Sequence, residues 1–165
     1  MGFQSTVRIQ QAAGIVGEIA FDGPQRAEPN TINSVDPDMN VIGRAYTALV
    51  GQDGFVAAGG TGVFAGILVN PLVYATQGSA AGALAPTLLL PNQAEAEFLK
   101  MGTIIVELTT AAAIGNDVHF VKATGELLAV AAGTAPAVGN AVVPNTKVVR
   151  QNIGAAGLAY IQLTN

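Results

Sequence analysis

The chain has 165 residues, enough for one domain with a real core, and half of them are hydrophobic. Seven basic and eleven acidic residues give a net charge of −4, and only 11% of the chain is charged, against ~25% in ordinary soluble domains. The absence of cysteine excludes disulfides and thiolate metal sites, and the scattered Arg8, Arg26, Arg44 and Arg150 form no basic stripe for nucleic acid.

The N-terminus, MGFQSTVRIQ, lacks a basic region followed by an apolar one, so no secretory signal is expected. No apolar run approaches the ~18 residues of a membrane-spanning helix. The expectation is a soluble protein made in the cytosol. Residues 1–40 are punctuated by Gly14, Gly17, Gly23, Pro24, Pro29 and Pro37, too often for regular structure to persist. They read as an extended N-terminal arm, ordered by lying on something else, ahead of a β-rich domain at 41–165.

In that domain, "NVIGRAYTAL" and "GVFAGILVN" are rich in β-branched and aromatic residues. "APTLLLP" fits a short buried strand. "EFLKMGTIIVEL" reads as strand, tight turn at Met101-Gly102, then strand, with a helix over residues 92–101 as the alternative, since "NQAEAEFLKM" holds good helix formers. "NDVHFV" and "ELLAV" flank "KATG", whose Gly125 can supply the positive φ of a hairpin turn. Val118 and Phe120 then share one face, with His119 and Val121 on the other. "GLAYIQLT" alternates Leu158, Tyr160 and Gln162 against Ala159, Ile161 and Leu163. Short strands between Gly and Pro turns predict an all-β fold, a sandwich or barrel of antiparallel strands.

Signs of chemistry are thin. His119 is the only histidine, and although Asp117 and Glu126 are close in sequence, no serine sits in a G-x-S-x-G elbow. A zinc site lacks its usual ligands, so a structural or surface histidine is expected. "VDPDMN" begins like a calcium loop, but Val41 and Thr47 stand where Gly and Glu are needed; an Asp-Pro-Asp turn accounts for it. "GGTGVFAG" lacks the Gly-Lys-Ser/Thr ending of a phosphate loop, so its glycines are expected to serve close packing or sharp turns. The pairs Glu95/Glu97 and Asp36/Asp38 read as solvated edges. No catalytic, cofactor or metal residue is assigned, and no small-molecule substrate is expected.

The shortage of charge is also local: residues 54–94 contain no Asp, Glu, Lys, Arg or His. An isolated monomer so built lacks the usual protection against association, so much of the outer face is expected to be covered by other subunits.

The opening "GFQSTVRIQQAAGIVGEIAFDGPQRAEPN", with its Gly14-to-Glu18 step and Pro24-Gln25-Arg26, resembles the N-terminal segment of tailed-bacteriophage capsid cement (decoration) proteins. "VIGRAYTAL", "GVFAGILVNPLVYA" and the β-rich stretch through Gly115-Asn116-Asp117 resemble the rest of that family. The resemblance implies a non-enzymatic virion protein, assembled in the host cytoplasm. It would bind the outer surface of the major capsid protein shell, bridge neighbouring capsomers, and form a dimer or trimer without nucleic acid, membrane or cofactor. A phage head fibre or carbohydrate-binding adhesin subunit, built as a β-sandwich, is the alternative. Interface anchors are usually aromatic or Arg side chains, which nominates Phe3, Arg8, Phe21 and Arg26 on the arm, and Phe55, Phe64 and Tyr74 in the uncharged stretch.

Overall fold

The computed structural model describes residues 14–21, 23–71 and 89–164. Among them the regular elements are strands β1 (Arg26–Ile32), β2 (Ala45–Ala48), β3 (Phe55–Ala58), β4 (Phe64–Leu68), β5 (Glu95–Leu108), β6 (Asp117–Val121), β7 (Leu127–Val130), β8 (Asn140–Arg150) and β9 (Gly157–Leu163), with one 3-10 turn at Pro37–Met39. The fold is all-β, as the turn-rich, β-branched sequence predicts.

Strand β5 organises the molecule. Its first half pairs antiparallel with β1 and β4, while β2 joins β4 to β3 and β3 returns to β1 in parallel, closing a five-stranded ring. Its second half pairs with β9 and, at Leu108, with β7, and β6 and β8 complete a second ring. Closure of this kind leaves few open edges. The turn expected at Met101-Gly102 is absent. Met101 pairs with Arg26 of the first ring and Gly102 with Leu163 of the second, and Gly102 takes φ +129. A residue without Cβ lets the strand change direction there without breaking. The helical alternative fails for a related reason. Glu95 and Glu97 face outward while Ala96 and Phe98 are buried, a period of two that tertiary pairing imposes over helix propensity.

Two apolar clusters follow from this geometry. One holds Ile32, Tyr46, Val56, Leu68 and Phe98, with the Tyr46 and Phe98 rings 5.0 Å apart. The other holds Ile104, Val106, Phe120, Val148 and Ile161, together with Ala45, Ile67 and Leu99 contributed by first-ring strands. Phe98 and Leu99, neighbours in sequence, are both fully buried in different clusters. The last strand alternates as predicted, with Ala159, Ile161 and Leu163 inward.

Of residues 1–40, expected as an arm, the described ones include segments paired with the body. The Gly17 N–H donates to the Ile105 carbonyl (2.8 Å), Ile105 N–H to Glu18 (3.0 Å) and Ala20 N–H to Thr103 (2.9 Å). Residues 17–20 thus extend β5's edge with their own strip of ladder. Residues 26–32 are β1, and Asn40 is fully buried. Pro29 does not disrupt β1, and hydrogen-bond parity explains why. Thr31 and Asn33 donate toward Gly54 and Val56 on the β3 side, and Ile32 donates to Ala94 beside β5. The Pro29 nitrogen, in step with Thr31, faces the side where β3 has not yet begun to pair, so no ladder bond is lost.

"APTLLLP" is described only from Leu89, which bridges to Val41, and Leu90, which is buried. The β6–β7 hairpin forms as predicted, with Gly125 at φ +75. Its tip packs on the first ring: the Ala45 N–H donates to the Gly125 carbonyl (2.9 Å) and the Gly60 N–H to the Lys122 carbonyl (2.6 Å).

Candidate interaction surface

The hairpin carrying His119 is built for packing. Val118 and Phe120 enter the second cluster. His119, on the opposite face, is also buried, with 1% exposure and no partner for Nδ1. Both nearby carboxylates are engaged elsewhere. Asp117 accepts from the Lys147 ammonium and, at 2.7 Å, from the Gly133 N–H, and these bonds hold its carboxyl below the usual carboxylate range. Glu126 accepts from Arg44 at 3.0 Å. A general base needs a reacting proton within reach and an orienting partner, and this imidazole has no carboxylate bonded to it.

The remaining polar motifs resolve in the same way. Asp36 Oδ1 accepts from the Asp38 N–H at 3.0 Å, capping the Pro37–Met39 turn. Glu95 and Glu97 are exposed. In the glycine-rich loop the Gly60 N–H is spent on Lys122, and Gly62 lies against the Ala48 carbonyl too closely for a Cβ. No group of three or more His, Asp or Glu able to hold a metal occurs among the described residues. Tyr46 keeps a neutral phenol, since burial pushes its pKa up.

A cleft of about 390 Å³ lies where the two rings meet the N-terminal segment, lined by Ile15, Ile42, Arg44, Glu107, Glu126 and Leu127 among others. Arg44 is already committed there. Besides Glu126, its guanidinium donates to the Thr124 carbonyl at 3.2 Å, so the cleft's cation ties one ring to the other.

The outer surface carries isolated apolar side chains on loops: Val35, Val50, Val63, Ile114 and Val138 are all more than half exposed. Of the residues nominated from sequence, Phe3, Arg8 and Tyr74 lie outside the described residues. Arg26 is exposed and sits beside Glu28 at 3.8 Å. Phe55 is half-buried, and so is Phe64, which packs on the second cluster with its ring 6.4 Å from that of Phe120. Phe21 is 46% exposed and stacks on Tyr160, with ring centroids 5.7 Å apart and planes 21° from parallel. The Arg150 guanidinium lies 5.9 Å from the Phe21 centroid and 5.4 Å from that of Tyr160. Tyr160 and Arg150 were not legible as part of a surface site, because nothing local in the sequence brings residues so distant together.

The architecture is shared with a solved phage protein. A chain of "The capsid of Myoviridae Phage XM1" superposes with a TM-score of 0.63 at 16% identity, over 100% of this chain and 99% of that one, which is a likeness of fold. No curated protein matches the chain. The family model described as "Structural cement protein (E217 gp24/Pam3 gp6)" matches residues 3–164. The chain belongs to this phage cement family. Membership covers both rings and agrees with the all-β body, the charge-poor sequence and the resemblance seen in the motifs. Cement is a structural component of the virion.

Proposed function

We propose that this cement protein binds the outer surface of the major capsid protein shell and bridges neighbouring capsomers, as a dimer or trimer assembled in the host cytoplasm. The observation that carries this is the match of a structural cement family over residues 3–164. A sequence of which only 11% is charged supports it. The mechanism is linkage: a protein that binds only the mature lattice stabilises that lattice over competing states. Repetition around a closed shell supplies avidity, so each contact can be modest. Phe3, Arg8, Phe21, Arg26, Phe55, Phe64 and Tyr74 are the side chains proposed to contribute, with Phe64 limited by its packing inward.

The experiment is removal of residues 2–13, the stretch ahead of the segment that pairs with β5. A longer deletion, through residue 28, would remove the strip on β5 and the start of β1 and confuse binding with folding. The shortened protein, first checked for its melting temperature, is expected to bind purified expanded shells about tenfold or more weakly. Saturation at wild-type concentrations would show that the arm makes no contact with the shell.

A further inference from the structure

Among the described cations, Arg26, Arg44, Lys100 and Lys147 are each matched by a carboxylate. Half-buried Lys122 and exposed Arg150 have no ion pair with a carboxylate among the described residues. Arg150 is held in place by unusual means. Along β8 and β9 the register runs Val148 opposite Ile161 and then Arg150 opposite Tyr160, so Val149 is a bulge. Residues opposite one another share a face. Without the bulge, Arg150 would stand opposite Ala159, whose side points into the core. The extra residue turns it outward beside Tyr160, and the next residue, Gln151, takes φ +69, a left-handed conformation that costs a side-chain-bearing residue energy.

The result is a guanidinium 5.4 Å from a ring centroid of β9 and 5.9 Å from one of the N-terminal segment. Contact with the ring π-systems restrains the group by cation–π attraction, and Arg150 is exposed, so its N–H donors can meet a partner from outside. A guanidinium suits a bidentate carboxylate, and the ring contacts meet part of the ordering cost within the fold.

We infer that Phe21, Tyr160 and Arg150 form a preorganised receptor for an acidic side chain on the capsid shell subunit. This rests on the proposed attachment to the shell and names one of its contacts. A second copy fits less well. Two copies each carry a net charge of −4 and repel one another, and the patch cannot sit on a two-fold axis without setting guanidinium against guanidinium. A contact with an acidic edge around a trimer is the competing outcome that self-association reads out.

The test uses the full chain and purified expanded shells freed of it, comparing wild type, Arg150→Lys, Arg150→Gln and Lys122→Gln. Each is first checked for its melting temperature and its sedimentation without shells. Arg150→Gln and Arg150→Lys are expected to bind about tenfold or more weakly, the lysine failing because it lacks the planar fork. Lys122→Gln, which removes a cation outside the patch, is expected to bind as wild type; a loss equal to that of the Arg150 variants would overturn the inference by making overall charge responsible. Wild-type binding by both Arg150 variants would overturn the inference while leaving shell attachment intact. Loss of self-association in those variants, with shell binding retained, would also overturn it by assigning the receptor to a second copy. Failure of wild type itself to bind would instead overturn the proposed function.

Discussion

Arg44 Nη2 lies 3.0 Å from Glu126 Oε1, joining the loop before β2 to the hairpin between β6 and β7 across 82 residues of sequence. The same guanidinium reaches the Thr124 carbonyl, so a single side chain ties the two rings together. Arg44→Met should therefore lower the unfolding free energy by about 1–3 kcal/mol. Glu126→Gln should cost less than about 1 kcal/mol, because that carboxylate is 40% exposed. Denaturant titrations of the two variants and their double mutant check this. Fully additive losses would mean that the pair is not coupled.

Gly125 and Gly115 separate backbone strain from crowding. Both have positive φ, but a Cβ on Gly115 meets open space, whereas one on Gly125 would sit 2.5 Å from the Ala45 carbonyl. Gly115→Ala should cost about 1 kcal/mol and Gly125→Ala about 2–4 kcal/mol, measured by urea midpoint. Equal losses would show that the hairpin tip is not tightly seated on the first ring.

Acid should weaken the fold in a traceable way. Asp117 is held below its ordinary pKa by the Lys147 ammonium and the Gly133 N–H, and Glu28 by Lys100. A carboxylate depressed in the folded state contributes stability that is present above its unfolded pKa of about 4 and lost as pH falls through the depressed value. Melting temperatures should decline below about pH 4, and Asp117→Asn should remove part of that decline. An unchanged pH profile in the variant would contradict the assignment.

His119 is predicted to matter for stability alone. Truncating a side chain that is 1% exposed leaves a cavity, so His119→Ala should cost about 2–4 kcal/mol without altering shell binding where the variant is folded. Full stability combined with lost binding would reverse this view.

Much of the fold was readable in the chain because its signals are local. The alternation of "GLAYIQLT", the Gly125 turn and the Asp36 cap each depend on a few adjacent residues. Long-range facts were hidden. The helix formers of residues 92–101 carry no mark of the two ladders that force them into a strand, and Gly102 looks like a turn because its bend is used within a continuous strand. Pro29 reads as a breaker until β1's open side is known. The patch of Phe21, Arg150 and Tyr160 depends on a bulge at Val149, and no residue pattern announces that bulge.

Attachment to a shell is the property on which the proposed function depends. The most direct measurement titrates purified expanded capsids, freed of this protein, with the full-length chain, following bound copies by sedimentation and imaging the saturated particles. Saturation at a fixed copy number, with symmetric density on the outer face and a higher temperature of shell disruption, is the predicted result. Particles that remain bare at every concentration, or that gain protein without gaining heat resistance, would contradict it.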